Sequence, residues 1–450
     1  MKLLKIGISG VRGIVGDSMT PKLAMDFASA FGTFLHGGTV LLGRDTRVSG
    51  PMLEAACRSA LAAAGCDVRA LGVCPTPILQ WAAKRGRARG GISITAGHND
   101  IQWNALTFVN REGTYLNPFQ GAEVLDLFHL GRFRKAGVDG LGSVTDGSAD
   151  SEAYFQALGR FLDVRSIAAR KLKVVIDACN GAGAPFLGRL AGALGFELVP
   201  VNDRPNGFFP HDPEPRPRNA QQVVSVLKVV GADAGFLFNS DVSRVSIVSE
   251  TGESLSEEFT FPLVADAWLT SHRGPVVTNL ATSRMIEDVA RGRGCPIVRT
   301  KVGQSYAVHS LLQEGGVLAG EGSGGVAVPA FHAAFDGLLT VGLVLETIAR
   351  RKKSLSELVG ELPRYHNVKE KLYCPPAKVH SVVSEVKRFF HRHRGIDTSD
   401  GVRVDDEHGW VQVRTSTTEP MIRVVAEDRS PERARRRADE VIDLINGLIQ

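Results

Sequence analysis

Short apolar segments of strand length alternate along this chain with Ala- and Leu-rich amphipathic segments of helical length, and the alternation recurs three times. The apolar segments end in Gly, Asp or Asn, as at residues 39–43, 173–177 and 275–279. Strands and helices that alternate in this way form layered α/β domains. A chain of 450 residues is also too long for one hydrophobic core. The pattern therefore predicts three similar α/β units.

The segment beyond about Pro363 has a different pattern. It contains three predicted strands, at 401–404, 410–414 and 422–427, of which the first two look antiparallel, and then a basic helix from Pro431. We therefore expect three similar mixed α/β domains followed by a smaller α+β domain. The predicted domains span residues 1–148, 149–253, 254–361 and 362–450, with a linker of low hydrophobicity at 144–151.

Composition excludes several classes of function. Lys and Arg together number 53 against 48 Asp and Glu, a mild excess that suits anionic ligands, and the short basic clusters lack the aromatic residues of a nucleic-acid site. The six Cys stand singly, which indicates reduced thiols rather than a zinc site or disulfides. The chain shows neither a signal peptide at its amino terminus nor an apolar run of about 20 residues. We expect a cytoplasmic protein without nucleic-acid or membrane partners.

Polar loops follow predicted strands in each of the four units, and ligands of α/β sheets gather at the carboxyl ends of strands. With the segments 6–13 (IGISGVRG), 43–47 (GRDTR), 75–77 (PTP) and 206–210 (NGFFP), these loops resemble in order and spacing the signature loops of the α-D-phosphohexomutases. The phosphoglucosamine mutase and phosphomannomutase branch fits best. The resemblance covers essentially the whole chain. It implies four domains around a central cleft that binds a hexose phosphate of the glucose, glucosamine or mannose type.

The loop in the carboxyl-terminal unit, residues 414–420 (RTSTTEP), resembles the phosphate loop of this family, R-P-S-x-T-E-P. Two hydroxyls, backbone N–H groups and two guanidinium groups suit a phosphate dianion. The resemblance implies phosphate binding by the following residues: Arg414, Ser416, Thr418 and Arg423. Thr415 stands where the family usually has Pro.

The loop of the third unit, residues 320–325 (GEGSGG), resembles the sugar loop of the family, G-E-x-S-G. A carboxylate and a hydroxyl suit vicinal sugar hydroxyls, and the flanking Gly residues permit close approach of the backbone. The resemblance implies that Glu321 and Ser323 contact the sugar. Arg12 in the first unit also matches the family pattern.

The loop of the first unit departs from the family. The active loop of the family reads T-A-S-H-N-P, and its Ser carries the phosphoryl group, whereas this chain reads TAGHND at 95–100. The nucleophile position is Gly97, followed by His98. The family motif N-G-x-K, whose Lys assists proton transfer, corresponds to Asn104 and the three residues after it, with Thr107 in place of the Lys.

The loop of the second unit departs as well. The family motif D-G-D-x-D-R offers three carboxylates to one Mg²⁺, whereas this chain reads NSDVSR at 239–244. Asp241 stays, Asn239 and Ser243 replace the other two acids, and Arg244 matches. Because Mg²⁺ favours anionic oxygen ligands, we expect weak or no Mg²⁺ binding, and no cofactor needed for ligand binding.

These departures allow three functions. The favoured one is a hexose-phosphate-binding homologue without the usual phosphoserine chemistry. The second is an active phosphohexomutase with another acceptor: His98 is the best candidate near the empty position, ahead of Thr95 and Ser93. The third is an interaction protein, either a homodimer or a partner of an active paralogue.

Overall fold

The computed structural model describes residues 4–415 and 421–449 of the chain. Within them the strands form four sheets, of seven, four, four and five strands. The three mixed α/β domains and the smaller α+β domain predicted from the sequence are confirmed. The exact domain boundaries stay a prediction.

The first sheet has the strand order β1-β2-β6-β5-β3-β4-β7. Its elements are β1 (Leu4–Gly7), β2 (Gly10–Ile14), α1 (Pro21–Leu35), β3 (Gly38–Arg44), α2 (Gly50–Ala63), β4 (Cys66–Val73), α3 (Thr76–Arg85), β5 (Gly90–Ile94), β6 (Trp103–Asn110), α4 (Pro118–Leu130) and β7 (Val144–Asp146). Sequence signals fix the helix starts: the Thr20 side chain accepts a hydrogen bond from the Leu23 amide, and Asn117 and Gln120 form a capping box. The central strands β5, β3 and β4 are parallel and buried.

The predicted linker at 144–151 is wrong at both ends, and its last two residues begin helix α5 (Asp150–Phe161). Residues 144–146 form β7, which pairs in parallel with β4 and closes the edge of the first sheet. All three residues of β7 are exposed, so the segment lacks the hydrophobicity by which a strand is recognised in sequence. Its partner strand, rather than its own composition, makes it a strand.

The second and third sheets repeat a smaller pattern. Their orders are β11-β10-β8-β9 and β13-β12-β14-β15, each with an antiparallel edge strand. The elements are α5 (Asp150–Phe161), α6 (Val164–Ala169), β8 (Lys173–Asp177), α7 (Leu187–Leu194), β9 (Glu197–Val201), α8 (Gln221–Val230), β10 (Ala234–Phe238), β11 (Val245–Ser249), α9 (Thr260–Trp268), β12 (Val276–Asn279), α10 (Met285–Gly292), β13 (Ile297–Thr300), α11 (Gln304–Gln313), β14 (Leu318–Glu321), β15 (Gly325–Ala327) and α12 (Gly337–Arg351).

The last sheet is antiparallel throughout, in the order β16-β20-β19-β18-β17. Helix α13 (Leu355–Gly360) precedes this sheet and packs in the core of the second and third units. The elements of the last unit are β16 (His366–Tyr373), α14 (Val379–Phe389), β17 (Ile396–Asp397), β18 (Val402–Asp405), β19 (Gly409–Thr415), β20 (Met421–Asp428) and α15 (Pro431–Ile449). Two helices, α14 and α15, pack on this sheet around a core of its own.

One hydrophobic core joins the second and third units and reaches into the first through α3. Trp81 on α3 contacts Tyr154 edge to face at 5.8 Å, and Tyr154 donates a hydrogen bond of 2.7 Å to Asp336, which caps α12. This shared core fixes the loops of three units relative to one another. Among the described helices, none has the length and apolar character needed to cross a lipid bilayer.

Candidate functional site

The loop after β5 and the loop after β10 meet at one point. Gly97 has a φ of +55°, and a Cβ atom built on it would lie 3.6 Å from Asp241 Oδ2 and 3.9 Å from Asn239 Nδ2. There is room for a side chain, but the left-handed backbone disfavours any residue except glycine. The position of the expected nucleophile therefore faces the loop of residues 239–244.

A buried ion pair holds the first loop in place. Arg47 is fully buried and pairs with Asp45 at 3.0 Å. Its guanidinium donates to four backbone carbonyls, those of Asp100, Trp103, Gly97 and Asn99. Since one side chain serves the whole turn, the loop conformation is set by Arg47. The sequence motif contains this residue, but nothing in its spacing revealed the role.

A second connection to this loop comes from Ser240, which sequence reasoning also missed. Its hydroxyl lies 2.6 Å from the Gly97 carbonyl oxygen, to which it donates, and 3.1 Å from Asp45 Oδ2. The loops of the first and second units are further joined where the Thr76 amide donates to the Asp241 carbonyl at 3.0 Å. The two loops therefore form one connected structure.

The three side chains of the second loop that could bind a metal form hydrogen bonds with one another. Asn239 Nδ2 lies 2.7 Å and Ser243 Oγ 2.7 Å from Asp241 Oδ1, and both donate to it. The Asn239 side-chain oxygen accepts a hydrogen bond from the Arg244 amide. The Asp241 carboxylate therefore already accepts two hydrogen bonds. The Asn239 oxygen is engaged by a backbone amide, and the Ser243 hydroxyl is engaged by the carboxylate. This donor set does not fit Mg²⁺, which requires several anionic oxygens in octahedral geometry.

Positive charge surrounds His98. Arg244 donates to His98 Nδ1 at 3.2 Å, and Arg12 donates to the Asn99 side chain. Burial, followed by the charges of Arg244 and Arg12, lowers the pKa of His98 well below its usual value. Burial and the neighbouring Arg244 also lower the pKa of Arg12 to about 10. Cations held together at this cost indicate a site for an anion.

The other hydroxyl groups near Gly97 already form hydrogen bonds within the protein. Thr95 Oγ1 donates to Asp45 at 2.7 Å and accepts from the Gly97 amide, and Ser93 Oγ lies 2.8 Å from Thr76 Oγ1. Both side chains are buried. Asn104 is fully buried too and donates to Ser49 at 2.8 Å. The structure therefore does not bring Asn104 to the accessible wall of the cleft.

The sugar-loop residues lie at the end of β14. Glu321 is 2% exposed and accepts a hydrogen bond of 2.9 Å from the Gly303 amide. The Ser323 hydroxyl is buried with no hydrogen-bond partner in the described part of the chain. A buried hydroxyl without a hydrogen-bond partner destabilises the folded protein unless a ligand or a water molecule forms that hydrogen bond.

A glycine and a glutamate fix the turn after Glu321. A Cβ atom on Gly322 would lie 1.9 Å from Glu258 Oε2, so only glycine fits over this carboxylate. Lys369 of the last unit contacts Glu257 at 2.9 Å and Glu258 at 2.8 Å. The sugar loop and the last sheet are therefore linked through a charged cluster that the sequence did not reveal.

Basic residues occupy one row of the last sheet. Arg423 on β20 lies between Arg414 on β19 and Lys371 on β16 in the strand register. Basic side chains that lie side by side on a sheet create a positive potential that favours anions. Ser416 and Thr418, the predicted hydroxyls of this loop, lie outside the described residues.

Comparison with known proteins agrees with this arrangement. The family models for phosphoglucomutase/phosphomannomutase match most of the chain in four parts: α/β/α domains I, II and III at residues 3–135, 152–252 and 247–365, and the C-terminal domain at 367–444. The chain belongs to the phosphoglucomutase/phosphomannomutase family. This places it in the α-D-phosphohexomutase superfamily, as the loops indicated.

Relatives of similar length support the assignment. The chain is 37% identical over 451 residues to a phosphoglucomutase/phosphomannomutase of Thermococcus kodakarensis, covering 99% of each chain. It is 36% identical over 448 residues to a protein of Methanopyrus kandleri named probable phosphoglucosamine mutase, covering 99% of this chain and 98% of that one. The solved structure of a phosphoglucomutase/phosphomannomutase family protein from Burkholderia thailandensis superposes with a TM-score of 0.86 at 28% identity, covering 99% and 97% of the chains.

Proposed function

We propose that the protein binds a hexose phosphate and lacks the phosphoserine-dependent mutase chemistry of its family. The observation that carries this proposal is the meeting of Gly97 with a hydrogen-bonded Asp241. The nucleophile position has no hydroxyl, and the one acid of the facing loop already accepts from Asn239 and Ser243. Mutase chemistry needs a nucleophile held in line and neutralisation of the transferring phosphoryl group. We infer that Mg²⁺ binding is weak and that ligand binding needs no cofactor.

Two basic regions support a phosphorylated ligand. Arg12 and Arg244 lie near His98, and Arg414 and Arg423 face each other across β19 and β20. Glu321 and the Ser323 hydroxyl, which has no hydrogen-bond partner among the described residues, suit sugar hydroxyls. Glucose, glucosamine and mannose phosphates are the expected class, which agrees with the names of the relatives. The isolated cysteines, all buried, suit a reducing compartment, and we propose a cytoplasmic role.

The alternative enzyme, with His98 as phosphoryl acceptor, is disfavoured by the Arg244 contact. A guanidinium only donates, so His98 Nδ1 must be the acceptor and the proton of the neutral ring sits on Nε2. The lone pair that would attack phosphorus is therefore engaged by Arg244. Pairing with a second copy or an active paralogue stays a prediction.

A calorimetric titration tests the phosphate assignment. We expect glucose 6-phosphate to bind without Mg²⁺ and far more tightly than glucose. Arg423→Ala should weaken it by about 1.5–3 kcal/mol, or about 10- to 150-fold, the range for a hydrogen bond to a charged group. Arg436→Ala removes the same charge from the exposed face of α15 and is the matched control. Equal affinity for glucose and its phosphate would contradict the proposal.

Turnover and modification test the missing chemistry. Hexose 1- and 6-phosphates with Mg²⁺ and a bisphosphorylated activator should give no substantial mutase turnover. Mass spectrometry of the purified protein at neutral or alkaline pH, where phosphohistidine survives, should find no phosphoryl group on residues 93–99. Phosphorylated His98 or Thr95 would establish the alternative enzyme instead.

A further inference from the structure

A polar cavity of about 300 Å³ opens between the first and third units, beside the cleft. We call it the side chamber. Its first wall is formed by α3 and the turn after β6, and its second wall by α11. The side chains that line it include those of Gln80, Tyr115, Gln304, Val308 and Leu312.

Two amide side chains in the walls of the side chamber have buried atoms without a hydrogen-bond partner among the described residues. Gln80 is only 1% exposed, yet neither its Oε1 nor its Nε2 has a hydrogen-bond partner within the described residues. Gln304 Nε2 is buried without one as well. A buried amide left unpaired costs about 1–3 kcal/mol. Amides retained in this state on both sides of one cavity indicate that something else completes their hydrogen bonds.

The wall around Gln80 is preformed. Gly113, in the turn after β6, has a φ of +76°, and a Cβ atom there would lie 2.3 Å from the Gln80 carbonyl oxygen. Glycine at this position therefore lets the turn pack directly against α3. The side chamber is built into the backbone and does not depend on surface side chains alone.

The side chamber shares walls with the cleft. Tyr115 lines the side chamber. Burial and the charge of Asp241 raise the pKa of its phenol, and the charges of Arg244 and Arg12 oppose this rise, so the ring lies near these cleft residues. On the other side, Gln304 follows Gly303, whose amide donates to Glu321. A ligand whose sugar reaches Glu321 can therefore extend into the side chamber.

The charge in the side chamber differs from that in the cleft. Of its described lining residues, none is Lys or Arg, and its acid Glu112 is paired with Arg111 at 2.7 Å. Amides that both donate and accept suit neutral hydroxyls, whereas Tyr115, Val308 and Leu312 offer apolar surface for the C–H faces of a sugar. The volume is at the lower end for ligand pockets and fits one ring rather than a small substituent.

We propose that the side chamber binds a neutral saccharide unit that extends from the hexose phosphate in the cleft. The ligand of this protein is then a phosphorylated disaccharide or larger, with its phosphate at the arginines and its neutral sugar between Gln80 and Gln304. This inference rests on the proposed function for the phosphorylated end of the ligand.

Matched pairs of sugars test the side chamber. Trehalose 6-phosphate adds one neutral glucose to glucose 6-phosphate, and maltose 1-phosphate adds one to glucose 1-phosphate. By calorimetry, at least one disaccharide phosphate should bind about tenfold or more tightly than its parent, as two or three new hydrogen bonds provide. Gln80→Leu and Gln304→Leu should each remove this gain and leave affinity for the parent unchanged. Gln313→Leu, at the exposed end of α11, is the control and should keep the gain.

Neutral maltose provides an independent readout. Saturation-transfer NMR should detect maltose on the unmodified protein and lose the signal in both Leu variants, whose folding is checked by urea unfolding. The inference is overturned if neither disaccharide phosphate exceeds its parent and maltose gives no signal. It is also overturned if the gain survives both substitutions. Failure of the proposed function gives a different result: glucose 6-phosphate would bind no better than glucose, and Arg423→Ala would have no effect. The maltose experiment would still show whether the side chamber binds a neutral sugar.

Discussion

At the scale of single residues, the charges around His98 decide its protonation. The residue is half-buried and lies among arginines, and Arg244 donates to its Nδ1. A second proton would have to enter beside these cations. His98 is therefore neutral at physiological pH, and its ring orients Arg244 in the cleft.

This environment predicts a pH dependence of stability. The pKa of His98 lies well below 6.5 in the folded protein and near 6.5 in the unfolded chain. The unfolded state therefore binds more protons below pH 6.5, and folding stability falls as the pH drops from about 7 towards 5. Urea unfolding of His98→Gln should show a shallower fall over this window, whereas the exposed His391→Gln should behave like the unmodified protein. Identical pH profiles for His98→Gln and the unmodified protein would contradict this account of the ring.

Residue identity alone could not reveal the state of the second loop. The sequence predicted the loss of two carboxylates at Asn239 and Ser243 but not that both replacements donate to Asp241. Nor did the sequence predict that the Ser240 hydroxyl donates a hydrogen bond to the Gly97 carbonyl oxygen. Hydrogen-bond direction depends on side-chain rotamers and on the neighbouring loop, and neither is encoded in a spacing.

At the scale of elements, the buried strands were predicted best. Strand β8 has the bounds expected from sequence, because it is a largely buried apolar run that ends in an Asp. Strand β16 was missed. Its sequence, HNVKEKLY, is charged, and none of its residues is fully buried. It is a strand because it pairs along its whole length with β20.

The pairing of β16 places Lys369 against two glutamates of the third unit, which predicts a coupled effect on stability. Burial raises the pKa of Glu258 to about 7 although Lys369 lies beside it. Lys369→Met should leave Glu257 and Glu258 without their cation and destabilise the protein by about 3 kcal/mol.

A double-mutant cycle measures this coupling. Combined with Glu258→Gln, which removes one of the two unpaired charges, Lys369→Met should cost less than the sum of the single changes. Urea unfolding at pH 8, where Glu258 is charged, gives the comparison. Additive costs would show that Lys369 does not link the last sheet to the sugar loop.

At the scale of the whole molecule, hydrogen bonds and ion pairs join each of the four units to the next. The Ser240 hydroxyl and the Thr76 amide form hydrogen bonds that join the first and second loops. The second and third loops are joined by a hydrogen bond of 3.1 Å from the Val245 amide to the Gly324 carbonyl. The third and fourth units are joined by Arg284, which pairs with Asp405 at 2.9 Å. The order of motifs predicted which loops converge, whereas the side chamber depends on the distance between α3 and α11, which no motif encodes.

On the proposed function, the nucleophile position and the acid positions lie in different units, so introducing mutase chemistry should require changes in both. Gly97→Ser alone should give no substantial turnover, since a φ of +55° strains the new residue and Asp241 stays bonded to Asn239 and Ser243. Adding Asn239→Asp and Ser243→Asp removes both donors and supplies two carboxylates for Mg²⁺. Thr107→Lys returns the cation.

The gains should be strongly non-additive, because nucleophile and metal would act on one transition state. Conversion of glucose 1-phosphate with Mg²⁺ and a bisphosphorylated activator measures them, with Gly97→Ala in the same background as the control for backbone strain. We expect turnover only when Gly97→Ser is combined with both new acids, and the Ala control to stay inactive. If Gly97→Ser turned over as fast alone as in the combined variant, the hydrogen-bonded second loop would not be what separates this protein from an active mutase.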